Sequence, residues 1–339
     1  AMFAGMNGGL LLLCLWLVAK ELVTRFRAEL GTGRGAVVDP SLVPGIMLVT
    51  LGIFSDKIFA EIKLGQTDLL VLTGLLLALR WMDGRPILAG LALGFCGNIK
   101  YQSIVFIPYL LFRGRWRALG SALLSTLGFA FSTALVFGWE RNQDYLRRAF
   151  GGLVRMMGGE HRGDAANVHD LTWIRSISFP SVFARLSERA GWGDLAMPAF
   201  TGVLALACLG LTVLLYRRNG LPVFVKRGGA IDKDDARLRA VVALEWIGLL
   251  VAVLVFSPQT TARHIVLMMP LGALAGLLML SHREGVKRLP VLIASVFLLA
   301  ALVLPPGGSA MENALHAWRW IGGISIATLT LLFVSLSGG

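Results

Sequence analysis

Residues Ile87 to Phe112 read ILAGLALGFCGNIKYQSIVFIPYLLF. The run is apolar except for Asn98-Ile99-Lys100-Tyr101-Gln102 in its middle, and basic residues stand at both ends. Arg85 precedes it, and Arg113, Arg115 and Arg117 follow it. A single membrane span would put one of these clusters on the wrong face of a bilayer. Two short helices meeting at Lys100 put both clusters on one face, which the positive-inside bias favours. A helix break between Gly97 and Ser103 is therefore expected, with Ile87 and Phe112 at the same membrane depth.

The rest of the chain asks for the same solvent. Of 339 residues, 56% are hydrophobic and 15% charged, with a mean hydropathy of +0.71. Soluble domains are nearer a quarter charged and could not hide so much apolar surface. The apolar residues come in long runs, and a helix in lipid satisfies its own backbone. The expected fold is all-α: a polytopic transmembrane helical bundle, with residues 1–339 as a single transmembrane domain. Besides the broken hairpin, spans are expected at about Ala4 to Val23, Leu42 to Phe54, Leu69 to Leu79, Ala118 to Trp139, Met197 to Tyr216, Ala240 to Phe256, Ile265 to Leu280, Leu289 to Leu304 and Trp320 to Val334. The chain opens on Ala1 and enters an apolar run almost at once, without the charged start and cleavage site of a signal peptide. It is expected to be a fragment that lacks an N-terminal span and a first outer loop.

Net charge is +12 and the pI about 10.3. The basic residues sit mostly in short connections on one side: Arg25 and Arg27, Arg80 and Arg85, Arg113 to Arg117, Arg217, Arg218, Lys226 and Arg227, then Arg283, Lys287 and Arg288. Such clusters anchor the cytoplasmic face beside anionic lipid and do not call for nucleic acid. Connections on the other side hold fewer, with Lys57, Lys63 and Arg263 as exceptions. Arg25, Arg115, Arg217 and Arg283 are thus expected on one face, and Gln66, Arg155 and His264 on the other. The expected location is the cell membrane, with the active side extracytoplasmic. Cys14, Cys96 and Cys208 are scattered through apolar segments and form neither a disulfide framework nor a metal knuckle.

Residues 140–195 form the one large extramembrane region. In it Tyr145, Leu146, Ala149, Phe150, Leu153, Val154 and Met157 recur at helical spacing, with Arg147, Arg148 and Arg155 opposite. This is the pattern of an amphipathic helix, lying in the outer interface or packed on the bundle, and placed to roof a cavity.

Polar groups within or beside spans are expensive, so each is a site candidate. Lys100 stands at the apex of the hairpin, where an ammonium and freed backbone groups suit an anion such as phosphate; the alternative is a lysine snorkelling to the interface. Gly65-Gln66-Thr67-Asp68 opens a helix, with Gln66 offering donor and acceptor and Asp68 able to complement the helix dipole. Ser257-Pro258-Gln259-Thr260-Thr261-Ala262-Arg263-His264 joins two spans, and Arg263 beside His264 suits an anion; a polar turn with an interface anchor is the alternative. Glu160, His161, Asp164, His169 and Asp170 match no metal spacing, so solvated loop polarity is expected and no metal. Glu245, early in its span, supports a helix terminus. Gly90/Gly94 and Gly272/Gly276 are small-residue pairs that serve helix packing. No nucleotide-binding fingerprint or Ser/His/Asp signature appears, so no cofactor is expected.

Three blocks then occur in order: Gly65-Gln66 opening a span; Leu88-Ala89-Gly90-Leu91-Ala92-Leu93-Gly94 leading to Lys100, Pro108 and Arg113 to Arg117; and Ser257-Pro258 followed by Arg263-His264 and Pro270. Over roughly Gly65 to Pro270 the chain resembles the membrane glycosyltransferases of family 87, the polyprenyl-phosphomannose-dependent mannosyltransferase group of the GT-C superfamily. The resemblance implies inverting transfer of a hexose, mannose first, from a polyprenyl-phosphate donor to a lipid or glycan acceptor, with membrane lipids around it and no nucleotide. It implies a catalytic aspartate in the first outer loop after the first span, hence upstream of Ala1, with Asp56, Glu61 and Asp68 as weaker stand-ins. Gln66, Lys100, Arg263 and His264 become the donor-phosphate residues, expected to line one outward-facing cavity. Asp68 stands where the family often has Asn, and the Ser-Pro block lacks the aromatic residue common there. The rival function is a transporter or flippase of a lipid-linked substrate, which broken helices would also serve; the internal repeats a transporter should show are not found.

Overall fold

A computed structural model describes residues 2–26, 39, 41–156, 170–193, 195–220, 236–258, 260–281, 286–303 and 310–338. Among them the chain is helix and turn, apart from one isolated antiparallel bridge between Ser176 and Thr261. Six helices are long and apolar enough to cross a membrane, and a bent pair near the C-terminus makes a seventh candidate.

The first two are α1 (Met2–Phe26) and α2 (Leu42–Leu64), followed by the shorter α3 (Asp68–Trp81). The expected second span was to end near Phe54. The helix instead continues through Asp56-Lys57-Ile58-Phe59-Ala60-Glu61-Ile62-Lys63 to Leu64. Its charges do not stop it because two turn inward: Lys57 and Glu61 are buried, Lys57 in an ion pair with Asp56. Gly65, at φ 61°, ends the helix in the left-handed conformation that glycine takes without strain.

The 87–112 segment is broken as its charge pattern requires. Helix α4 (Pro86–Ile99) stops at an extended Lys100, a 3-10 turn covers Tyr101–Val105, and α5 (Phe106–Phe112) returns. Asp83 and Arg115, which flank the two ends, are joined by an ion pair of 2.6 Å, so the segment is a hairpin. Helix α6 (Trp116–Ser132), continued by the short α7 (Ala134–Phe137), then runs parallel to α4. A Cβ on Gly90 would stand 2.7 Å from the Ala122 amide nitrogen, and one on Gly94 2.5 Å from Ser125 Cβ. The Ser121 and Ser125 hydroxyls donate across this seam to the Ile87 and Leu91 carbonyls, at 2.8 and 3.0 Å. Small residues are what let the two backbones approach.

The described residues of the 139–195 stretch form two helices. The amphipathic one is α8 (Trp139–Met156); among the described residues it leans on α7 and, through Trp139 on Phe131, on the end of α6, and most of its described side chains are exposed. The second, α9 (Phe179–Ala190), packs beneath α10 (Ala196–Arg218). Then follow α11 (Ala236–Phe256), a 3-10 segment at Ala262–Met268 leading into α12 (Met269–Leu280), and α13 (Arg288–Leu302). The expected last span is bent. Helices α14 (Ala310–Trp320) and α15 (Gly323–Gly338) meet at 68° across Gly322, whose φ of 83° no straight helix contains.

The core lies where α1, α2, α3, α11 and α12 converge, around the fully buried Phe54, Phe106 and Trp246, the last two with ring centroids 4.2 Å apart. One end of the bundle is a knot of paired charge. Arg25 donates to the Leu79 carbonyl at 2.6 Å and reaches Asp83 at 3.4 Å, Arg80 meets Glu21 at 2.9 Å, and Arg113 pairs with Glu245. Gln66, Lys100 and His264 sit at the other end. Arg283 and the side chain of Arg155 lie outside the described residues, as do Glu160, His161, Asp164 and His169.

Candidate active site

The site is assembled by two helix ends and a helix break. Gly65 turns the chain out of α2, so α3 begins only three residues later. The Glu61 carboxylate, back on the last turn of α2, accepts the Asp68 amide N–H at 2.8 Å and so satisfies one of the orphan donors of the α3 start. Asp68, held there, is fully buried and aims at the hairpin apex, where it forms an ion pair with Lys100. His264, in the 3-10 segment before α12, completes the group. Its Nδ1 lies 3.1 Å from Asp68 Oδ2 and 3.1 Å from Lys100 Nζ.

These three come from positions 32 and 164 residues either side of Lys100 in hydrogen-bond terms. Backbone and hydroxyl contacts fix the approach. Tyr101 and Ser257 share a hydrogen bond of 2.8 Å that ties the apex to the Ser257-Pro258 turn. The Thr260 carbonyl accepts from the Ile177 amide at 2.7 Å, which clips the extramembrane segment onto the same turn. The Lys100 and His264 side chains are 13% and 15% exposed against 0% for Asp68. The carboxylate is therefore the buried anchor, and the two basic groups form the solvent-reachable face. With Nδ1–H donated to Asp68, the ring presents Nε2 away from the carboxylate.

Arg263 does not join this group. Consecutive residues of a 3-10 turn point apart, and Arg263 lines an adjoining cavity of about 940 Å³. Its walls carry Arg175, Arg189, Arg263, Arg319 and His316, with Trp173 and Trp320, and no acidic side chain among the described residues. A cavity with four guanidinium groups suits a phosphate or another anion. Among the described residues none of its lining comes from α8; the 173–177 segment and α14 enclose it instead. Arg185 holds these two walls together. Its guanidinium donates to the Trp173 and Ser176 carbonyls at 2.9 and 3.2 Å and to the Trp320 carbonyl at 2.7 Å. Burial pushes its pKa below the ordinary arginine value, which still leaves it a cation at neutral pH.

Residues 1–230 match the sequence profile of Glycosyltransferase family 87. The chain belongs to this family. No curated protein and no solved structure matches it. Membership makes the protein a membrane glycosyltransferase and sets aside the transporter and flippase reading. Gln66, Asp68 and Lys100 of this family 87 glycosyltransferase fall inside the matched stretch, whereas Arg263 and His264 lie beyond it.

The remaining sequence candidates divide by exposure. Gln66 adjoins the cluster through its backbone: its amide donates to the Glu61 carbonyl at 3.2 Å, and its carbonyl accepts from Asn7 at 3.4 Å. Glu61 and Asp68 are both 0% exposed, so neither can meet an acceptor hydroxyl directly, and their part is to position the others. Asp56 is 41% exposed beside Lys57 and within electrostatic reach of Arg319 at the basic cavity. Sequence reading missed Arg175, Arg189, His316 and Arg319. Their one signal was the concentration of arginine and tryptophan in Trp173-Ile174-Arg175 and His316-Ala317-Trp318-Arg319-Trp320.

Proposed function

We propose that this family 87 glycosyltransferase moves a hexose, mannose in the first instance, from a polyprenyl-phosphate donor to a lipid or glycan acceptor on the extracytoplasmic side of the cell membrane. The observation that carries the reading is the meeting of Lys100 and His264 over the buried Asp68, beside a cavity lined by four arginines. It lies at the end of the bundle away from the Arg25–Asp83–Arg115 knot, and the positive-inside bias assigns that knot to the cytoplasm.

In inverting transfer the acceptor oxygen attacks the anomeric carbon and the bond from that carbon to the phosphate oxygen breaks. The sugar phosphodiester has one negative charge, and the departing polyprenyl phosphate carries more. A cation beside that phosphate is therefore felt more strongly in the transition state than in the ground state. Lys100 supplies the ammonium. His264 supplies Nε2 as a donor when the ring is charged, with Asp68 holding Nδ1. Arg263 and its neighbours take the rest of the anionic headgroup. The acceptor proton passes to a carboxylate, and Asp56 is the candidate with an open face.

The experiment is transfer from radiolabelled polyprenyl-phosphate mannose by the full-length enzyme in membranes. Lys100→Ala and His264→Ala should each lower turnover by roughly ten- to a thousandfold, the loss of one charge-stabilising donor. Asp56→Asn should abolish transfer while leaving donor binding intact. Full activity in both the Lys100 and His264 variants, or transfer from a nucleotide sugar without the lipid donor, would overturn the reading.

A further inference from the structure

The bundle carries a second cavity, whose polar mouth lies at the end away from Lys100. Helix α10 is the least buried of the candidate spans. It rests on α9 and touches α15 only lightly, and it stands off α11. The slot left between α10, α11 and α15 has a volume of about 470 Å³. Along α10 it runs from Ala205 to Tyr216, which at the helical rise is about 17 Å. Its walls are aliphatic and aromatic over most of that length, among them Leu209, Leu249, Ala252 and Phe333. This is the length and chemistry of one lipid acyl chain.

The mouth differs from the walls. Tyr109, Arg113, Tyr216 and Glu245 line the slot at the same end as the paired-charge knot. The Arg113 side chain is 6% exposed. Its Nε and Nη2 meet Glu245, but Nη1 is buried without a hydrogen bond among the described residues. A buried guanidinium N–H left unmet costs free energy unless a further acceptor arrives. Arg115 nearby is paired with Asp83, but the exposed Arg217 and Arg218 follow Tyr216. The mouth is thus basic beyond the one charge that Glu245 neutralises.

We infer that the α10–α11–α15 slot binds one anionic phospholipid from the leaflet at the Arg113 end, with an acyl chain along α10 and the headgroup phosphate at Arg113. The occupant is not the glycosyl donor. A donor reacting at Lys100 has its phosphate at the opposite end of the bundle, whereas this mouth is where the cationic groups of the slot are. The lipid completes the packing of α10, which the protein itself leaves open, and an anionic headgroup complements the arginines.

Native mass spectrometry of the full-length enzyme, released from detergent with phosphatidylglycerol, phosphatidylcholine or polyprenyl phosphate supplied in turn, tests this. Wild type should retain phosphatidylglycerol at least about tenfold better than phosphatidylcholine, a difference of about 1.4 kcal/mol. Gly248 lines the slot and a Cβ there meets nothing within 4 Å, so Gly248→Phe places its ring in the slot. That variant should lose the retained lipid, and Thr212→Trp, from the facing wall, should do the same if Gly248→Phe fails to fold. Replacing the ion pair as Arg113→Gln with Glu245→Gln should abolish the preference for the anionic headgroup. Equal retention of both phospholipids, displacement of phosphatidylglycerol by polyprenyl phosphate, or undiminished lipid in the filled variants would each overturn the inference. None of these outcomes depends on transfer activity, so they separate this site from the proposed reaction.

Discussion

Lys100 and Asp68 form a pair whose removal should be costly one residue at a time and cheap together. The Asp68 side chain is 0% exposed and that of Lys100 13%. Taking one partner from a buried ion pair leaves an uncompensated charge and typically costs about 3–5 kcal/mol. Lys100→Met leaves Asp68 its hydrogen bond with His264 at 3.1 Å, so the carboxylate keeps one partner. The lower end, about 3 kcal/mol, therefore applies. A kilocalorie shifts the melting point by roughly 2–4 °C in domains of 150–250 residues and by less in a larger chain, so the single variant should melt about 5 °C lower. In Lys100→Met with Asp68→Asn no charge is stranded, and the amide can still bond to His264; most of the lost stability should return. Turnover should not, because the ammonium facing the substrate is still gone. The assay is thermal unfolding of the purified enzyme in detergent, read by intrinsic fluorescence, alongside transfer from the lipid-linked sugar. If Lys100→Met melts with wild type, or if the double variant is no more stable than the single, the pair is not the buried anchor described above. Burial of its partner also predicts a reduced protein yield for Lys100→Met.

Three further outcomes follow. Gly94→Leu should destabilise by about 2 kcal/mol or more through overpacking against Ser125 and Thr126, whereas Gly120→Ala, with open space around its Cβ, should be neutral or slightly stabilising; detergent melting curves compare them. Arg263→Ala with Arg319→Ala should raise KM for the polyprenyl-phosphate donor more than it lowers kcat if the basic cavity grips the anionic headgroup, and an unchanged donor KM would remove that cavity from the site. Single cysteines replacing Arg115 and His264 should label from opposite sides of the membrane, with Arg25 and Arg217 positions following Arg115 and Gln66 following His264; labelling of the Arg115 and His264 positions from one side would refute the topology.

Much of the architecture is written locally in the chain. The helix break at Lys100 was legible because a membrane imposes one coordinate, depth, and charge clusters at Arg85 and Arg113 report depth without any knowledge of neighbours. The same holds for the long apolar runs and for the amphipathic pattern that became α8. Helix boundaries were less legible where charge entered a run. Asp56 to Lys63 read as the end of a span, and only the inward turn of Lys57 and Glu61 shows why α2 continues through it. The bend at Gly322 was hidden for a similar reason: the pair Gly322-Gly323 carries no sign of which φ it will take.

The site divides along the same line. Residue chemistry marked Lys100 and His264, since cationic groups beside spans need a reason to be there. Sequence alone could not say that Asp68, an ordinary first-turn acid by its position, is the group that binds both. Nor could it say that Arg263 and His264, adjacent in the chain, face different spaces. That separation follows from a 3-10 turn, and the partners of Arg263 come from residues 175, 189, 316 and 319, on elements far apart in sequence. Hydropathy and charge act through the solvent, so each segment declares them by itself. Ion pairing and cavity walls act between segments, and they exist only once helix packing has chosen which side chains meet.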